Sequence, residues 1–149
     1  VLGGNGRASE VLRKNARKRL VFSFRTSSLE QPIFLDDVVD ILYESLKNRS
    51  LEGLFDLGGP ESISRRELIR LAGQIVRMNP IIISLPLVLG NLCAWVFEKT
   101  QKEPLISRAT LGVLDHDDYV DNSDTLAAFG LTLTPLDVML KKVIRDPDN

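Results

Sequence analysis

Apolar residues recur along this chain at two spacings that alternate in blocks. From Ser9 to about Arg19, Val11, Leu12 and Ala16 share one helical face while Arg13, Lys14, Arg17 and Lys18 point away from it, and Ser9 is placed to cap the helix. Leu20 to Arg25 and Gln31 to Leu35 then read as strands. Asp36 or Asp37 opens a second helix, with Val38, Val39, Ile41, Leu42 and Leu46 on its apolar stripe. Leu54 to Leu57 is a short strand. Ser64-Arg65-Arg66-Glu67 is a capping box, in which hydroxyl and carboxylate satisfy each other's orphan N–H groups, so a helix runs from Arg65 to about Met78. Further on, Ile81 to Ile83 reads as a buried strand, with a helix from Leu87 to about Lys99 that has Pro86 in its first turn. Ser107 to Leu114 is helical and Tyr119 to Asp121 extended, and Gly130 stops a helix over Ser123 to Phe129. Thr134 caps the last helix, with Pro135 in its first turn and Asp137 at its third position. Before all of these, Val1 to Gly3 resembles a strand end, followed by a Gly3-Gly4-Asn5-Gly6 turn.

Composition narrows the class. At 149 residues the chain has the common size of one domain, 1–149, and with 44% apolar and 26% charged residues it is of ordinary globular make-up. A net charge of −1 argues against nucleic acid as the main partner. The lone Cys93 lies in an apolar run, which suits a buried thiol in a reducing compartment, the cytoplasm by default. The start at Val1, with no initiator Met and no signal sequence, predicts a piece of a longer polypeptide. Met78 to Phe97 carries no formal charge, yet Pro80, Pro86 and Asn91 interrupt it, so strand plus buried helix is favoured over a membrane span.

Two sets of residues carry a resemblance. Gln31-Pro32-Ile33 with Asp37-Val38, followed by Phe55-Asp56-Leu57-Gly58-Gly59-Pro60-Glu61 leading to Glu67-Leu68, resembles the carboxyl-terminal half of extended and atypical short-chain dehydrogenases/reductases, the NAD(P)-dependent epimerase/dehydratase family. Pro104 to Arg108 through Leu111, Leu114, Asp118 and Val120, then Phe129-Gly130-Leu131 and Thr134-Pro135-Leu136, resembles the branch of the 39 kDa subunit of respiratory complex I. The resemblance implies an α/β fold: a helix-rich, substrate-side lobe with a few short strands, lacking the N-terminal Rossmann unit. It further implies a parent that uses NAD or NADP, with the Gly-rich loop and the Ser/Tyr/Lys residues upstream of Val1, and no catalytic residue or bound cofactor in this chain alone. The implied partners are the missing Rossmann portion and a small-molecule substrate. A homodimer follows if Leu87, Val88, Leu92, Trp95 and Val96 form an uncovered apolar helix. An accessory subunit that holds a nucleotide without turnover, peripheral to a membrane complex, is the rival implied by the complex I branch. A stand-alone interaction module using the surface from Leu85 to Phe97 is a third.

Candidate site residues follow on the same terms. Gly3, Gly4 and Asn5 are placed to make edge contacts to a cofactor, and Arg25, Gln31 and Trp95 to lie on the substrate side. Gly3-Gly4-Asn5-Gly6 is not a dinucleotide fingerprint, because only Val1 and Leu2 precede it and its third glycine is replaced by Ala8 or Ser9. Tyr43 and Lys47 have the Tyr-x-x-x-Lys spacing of a proton relay, but late in an amphipathic helix, which favours a solvated helix end. Asp115-His116-Asp117-Asp118 with Asp121 matches neither an EF-hand nor a zinc pattern and reads as a turn. The basic run from Arg13 to Arg19 reads as an exposed face. Glu30 stands where sugar-nucleotide epimerases place a diphosphate-binding arginine, and Leu114 near their second, which argues against a UDP- or GDP-sugar.

Overall fold

Residues 1–4, 6–48, 52–86, 88–90 and 119–145 are described in the computed structural model. They form a helix-rich α/β fold with a few short strands: α1 (Arg7–Ala16), β1 (Leu20–Phe24), β2 (Leu29–Glu30), α2 (Leu35–Lys47), β3 (Ile63–Ser64), α3 (Arg65–Ile75), β4 (Ile81–Leu85), α4 (Ser123–Phe129) and α5 (Leu136–Arg145). β1 and β4 pair in parallel, from Leu20 opposite Ile81 to Phe24 opposite Leu85. β2 and β3 pair antiparallel, and Leu2 makes a lone parallel bridge with Phe34.

The core lies where α1, α3 and α5 converge. Leu12 and Ala16 of α1, Leu68, Ile69 and Ala72 of α3, and Met139, Leu140, Val143 and Ile144 of α5 are buried together. Alternation along β1 sends Val21 into this cluster, joined from β4 by Ile82, while Leu20, Phe22, Ile81 and Ile83 face outward and are exposed.

Helix ends decide several local outcomes. Ser64 caps α3 as expected, its hydroxyl accepting the Glu67 N–H at 3.2 Å. α3 stops at Ile75, short of Met78, because Arg77 turns left-handed (φ 59°) and the Met78 N–H returns to the Gly73 carbonyl at 2.9 Å. Ser9 does not cap α1. Gly6 does, and the buried Ser9 hydroxyl instead accepts from the Gly3 N–H and donates to the Gly3 carbonyl, closing the turn below the helix. Neither Asp36 nor Asp37 caps α2, since the helix begins at Leu35 on Phe34. Thr134 likewise does not act as the expected cap: α5 begins at Leu136, and the Thr134 hydroxyl and N–H donate to Asp37 at 2.6 and 2.8 Å. Gly130 ends α4 as foreseen, in the left-handed region at φ 62°.

Two predicted strands are not formed. In Gln31 to Leu35 only Phe34 bridges, because Pro32 has no N–H and Leu2 alone pairs there; Leu35 already belongs to α2. Leu54 to Leu57 is irregular and has no strand beside it among the described residues. β4 runs two residues past the predicted Ile83, in register with β1 to its end. Residues 88–90 are helical, as the reading from Leu87 expects, and the rest of that helix, the Ser107–Leu114 helix and the complex-I-like tail up to Asp118 lie outside the described residues.

α2 is turned unexpectedly. Its buried positions are Asp37 and Ile41, whereas Leu35, Val39, Leu42 and Leu46 are 41, 53, 59 and 79% exposed. At 100° per residue those four lie within about 60° of one another, on the side of the helix opposite Asp37 and Ile41. Of the expected stripe only Ile41 is buried. The apolar face of α2 therefore looks away from the core.

Candidate functional site

A cleft of about 520 Å³ opens between α1, β1 and the start of α3. Leu2, Val11 and Leu12 line one side, Phe22 and Phe24 a second, Leu68 and Ile69 a third. The parallel register places Phe22 and Phe24 with their backbone groups toward the open edge of β1, since it is Arg19 and Arg25 that bond to β4 (Ile81 N–H to Arg19 at 2.9 Å, Arg25 N–H to Leu85 at 3.4 Å).

One ion pair lies at the base of α3. Arg65 donates from both Nε and Nη2 to a single Glu30 carboxylate oxygen, and its Nη1 donates to the Phe24 carbonyl at 3.1 Å. That carbonyl is on the open edge of β1, so the guanidinium serves as the strand's neighbour there. The next residue, Arg66, does the same for the far edge of the sheet, its Nη1 reaching the Ile82 carbonyl at 3.3 Å and its Nη2 the Thr26 hydroxyl at 3.1 Å.

A second, more polar cleft of about 390 Å³ lies beside Gln31, Pro60, Tyr119, Asn122 and Leu133. Two carboxamides organise it. Gln31 donates to the carbonyls of Gly59 (2.8 Å) and Val120 (2.9 Å) and accepts the Val120 N–H (2.7 Å). Asn122 donates to the Gly59 carbonyl and accepts the Gly58 N–H, at 2.8 and 2.7 Å. A side chain at Gly59 is impossible here, because its Cβ would lie 1.9 Å from the Pro32 carbonyl oxygen. Asp121, also on the wall, is held below its ordinary value by the Ser123 hydroxyl and N–H.

The residues singled out from sequence are only partly brought together. Gln31 lines the polar cleft with its amide already engaged. Arg25 stands at the carboxyl end of β1 with φ 43°, its carbonyl accepting the Ser28 N–H and hydroxyl at 3.0 Å. Gly3 and Gly4 both have positive φ, 153° and 49°, as a tight turn requires, but the Gly3 and Gly6 N–H groups are satisfied inside the turn, so it does not form a pyrophosphate cradle by itself. Asn5 and Trp95 lie outside the described residues. Lys47 sits 4.0 Å over the ring centroid of Tyr43 and donates to Glu44 at 2.9 Å, on an exposed helix end. Among the described residues no cluster of His, Cys, Asp or Glu is arranged to hold a metal, and the Asp115–Asp118 run lies outside them. Among the described residues no helix is long and apolar enough to cross a membrane.

Sequence reading missed the apolar cleft. Its walls come from three separate elements, and Arg65 drew notice there only as a capping-box residue. Glu30 was the usable signal, a carboxylate standing in place of an arginine.

No family model matches the chain, and no curated protein matches it in sequence. Its fold is found in solved structures. The crystal structure of gox2253 is similar with a TM-score of 0.68 at 16% identity, over 99% of this chain and 48% of that one. The structure of RMD from Pseudomonas aeruginosa complexed with NADPH is similar with a TM-score of 0.68 at 12% identity, over 99% of this chain and 45% of that one. The chain thus spans about half the length of each.

Proposed function

We propose that this chain is the substrate-side, carboxyl-terminal portion of an NAD(P)-dependent oxidoreductase or epimerase of the short-chain dehydrogenase type, inactive alone and completed by a dinucleotide-binding half. The observation that supports this most strongly is α2: a helix whose leucine stripe faces outward, in a chain that covers under half of gox2253 and of RMD. A helix with one apolar stripe normally buries it, and the remaining half of such a fold is the natural cover. NADPH in the RMD structure is the basis for naming the cofactor class. The likeness of the tail to the complex I branch supports placing the parent near that branch. In the complete protein, Gly3 and Gly4 would meet the cofactor's edge, and Arg25 and Gln31 the substrate side.

The test has two steps. The reading frame ahead of the codon for Val1 should encode a strand, a Gly-rich loop and a helix, and the longer polypeptide should bind NADPH by calorimetry while the 149-residue chain does not. Low-micromolar NADPH binding by this chain alone, or a reading frame without such a unit, defeats the proposal.

A further inference from the structure

We infer that the cleft between α1, β1 and α3 is a binding site for an uncharged, largely apolar small molecule, and that the Glu30–Arg65 pair is the device that turns anions away. This deepens the reading as a substrate-side lobe by naming the class of molecule taken.

The cleft's volume of about 520 Å³ is that of a small-molecule site, and its walls are aromatic and aliphatic. Arg65 would ordinarily make such a place attractive to phosphate or carboxylate, because a guanidinium presents a fork that fits both. Here Nε and Nη2 already bond to Glu30 and Nη1 to the Phe24 carbonyl, and the side chain is 13% exposed. An entering anion would therefore have to displace the Glu30 carboxylate or lie beside it, and both cost energy. The remaining cation on the wall, Arg7, is exposed, where solvent and salt screen it. What is left to recognise is flat or aliphatic surface against Phe22, Phe24 and Leu68.

Two probes with one skeleton separate these terms: N-phenyl-1-naphthylamine, which is neutral, and its 8-sulfonate. The neutral probe should bind this chain saturably and at least about tenfold more tightly than the sulfonate, a difference of about 1.4 kcal/mol. Val11→Trp, which fills the cleft from a half-exposed wall position, should weaken the neutral probe about tenfold or more. Leu42→Glu on the outward stripe of α2 should leave it unchanged. Glu30→Gln should raise sulfonate affinity several-fold with little effect on the neutral probe. Equal affinity for the two probes, indifference to Val11→Trp, or loss of binding in Leu42→Glu overturns the inference. Should Glu30→Gln unfold the chain by circular dichroism, the two probes on the unaltered chain and on Val11→Trp still decide it. None of these outcomes depends on NADPH, so this inference and the proposed function fail separately.

Discussion

Asp36 and Asp37 are indistinguishable as sequence, and the structure gives them opposite weights. Asp37 is 8% exposed and accepts both the N–H and the hydroxyl of Thr134, joining the first turn of α2 to the segment that opens α5. Asp36 is exposed, with Lys142 3.9 Å away. Removing the buried acceptor leaves two donors without a partner, so Asp37→Ala should cost about 2–3 kcal/mol in urea unfolding. Asp36→Ala should stay within about 0.5 kcal/mol. Gly59 offers a steric counterpart. Its φ is not positive, so the requirement for glycine comes from the approach of the Pro32 carbonyl, and Gly59→Ala should cost about 3 kcal/mol or abolish folding. A neutral Gly59→Ala in the same titration would mean that the Gly58-Gly59 segment does not pack against Gln31-Pro32.

Elements with their own start and stop signals were legible in advance. α3 has the Ser64 cap, β1 its alternation, and α4 its terminal glycine, and each stands close to its expected place. Because the Ser64 hydroxyl takes the Glu67 N–H, Ser64→Ala should lower stability by about 1 kcal/mol and raise hydrogen exchange in the first turn of α3 before the rest of the helix. Pairings were not legible. β1 and β4 are separated by α2 and α3, and nothing local in Leu20–Phe24 specifies Ile81–Leu85 as its partner. The orientation of α2 was missed for a related reason: periodicity shows that Val39, Leu42 and Leu46 share a face, not whether anything lies opposite it. The cleft escaped because its wall residues are dictated by how α1, β1 and α3 meet, which is a tertiary outcome.

At the scale of the whole molecule, two faces are left without cover among the described residues: the leucine stripe of α2, and the outward side of the β1–β4 sheet with Leu20, Phe22, Ile81 and Ile83. Parallel sheets are ordinarily covered on both sides, and apolar helix stripes face a core, so both features are unusual for a chain that stands alone. The two faces are not equivalent, however. Each carries four exposed apolar side chains, but on the sheet face Phe22 also lines the apolar cleft, whereas the α2 stripe runs through three helical turns and lines neither cleft. Burial of each of these leucines is worth about 1.5–3 kcal/mol, enough that a concentrated solution should satisfy the stripe with a second copy when no other cover is present. Light scattering of the chain across a wide concentration range should therefore show a mass that rises above that of a monomer. Replacing Leu42 and Leu46 together by Glu should return it to a monomer with the fold intact by circular dichroism, since neither side chain contributes to the core. A monomeric mass at every concentration, or association that survives both substitutions, would mean that the stripe of α2 is not the face that seeks a partner.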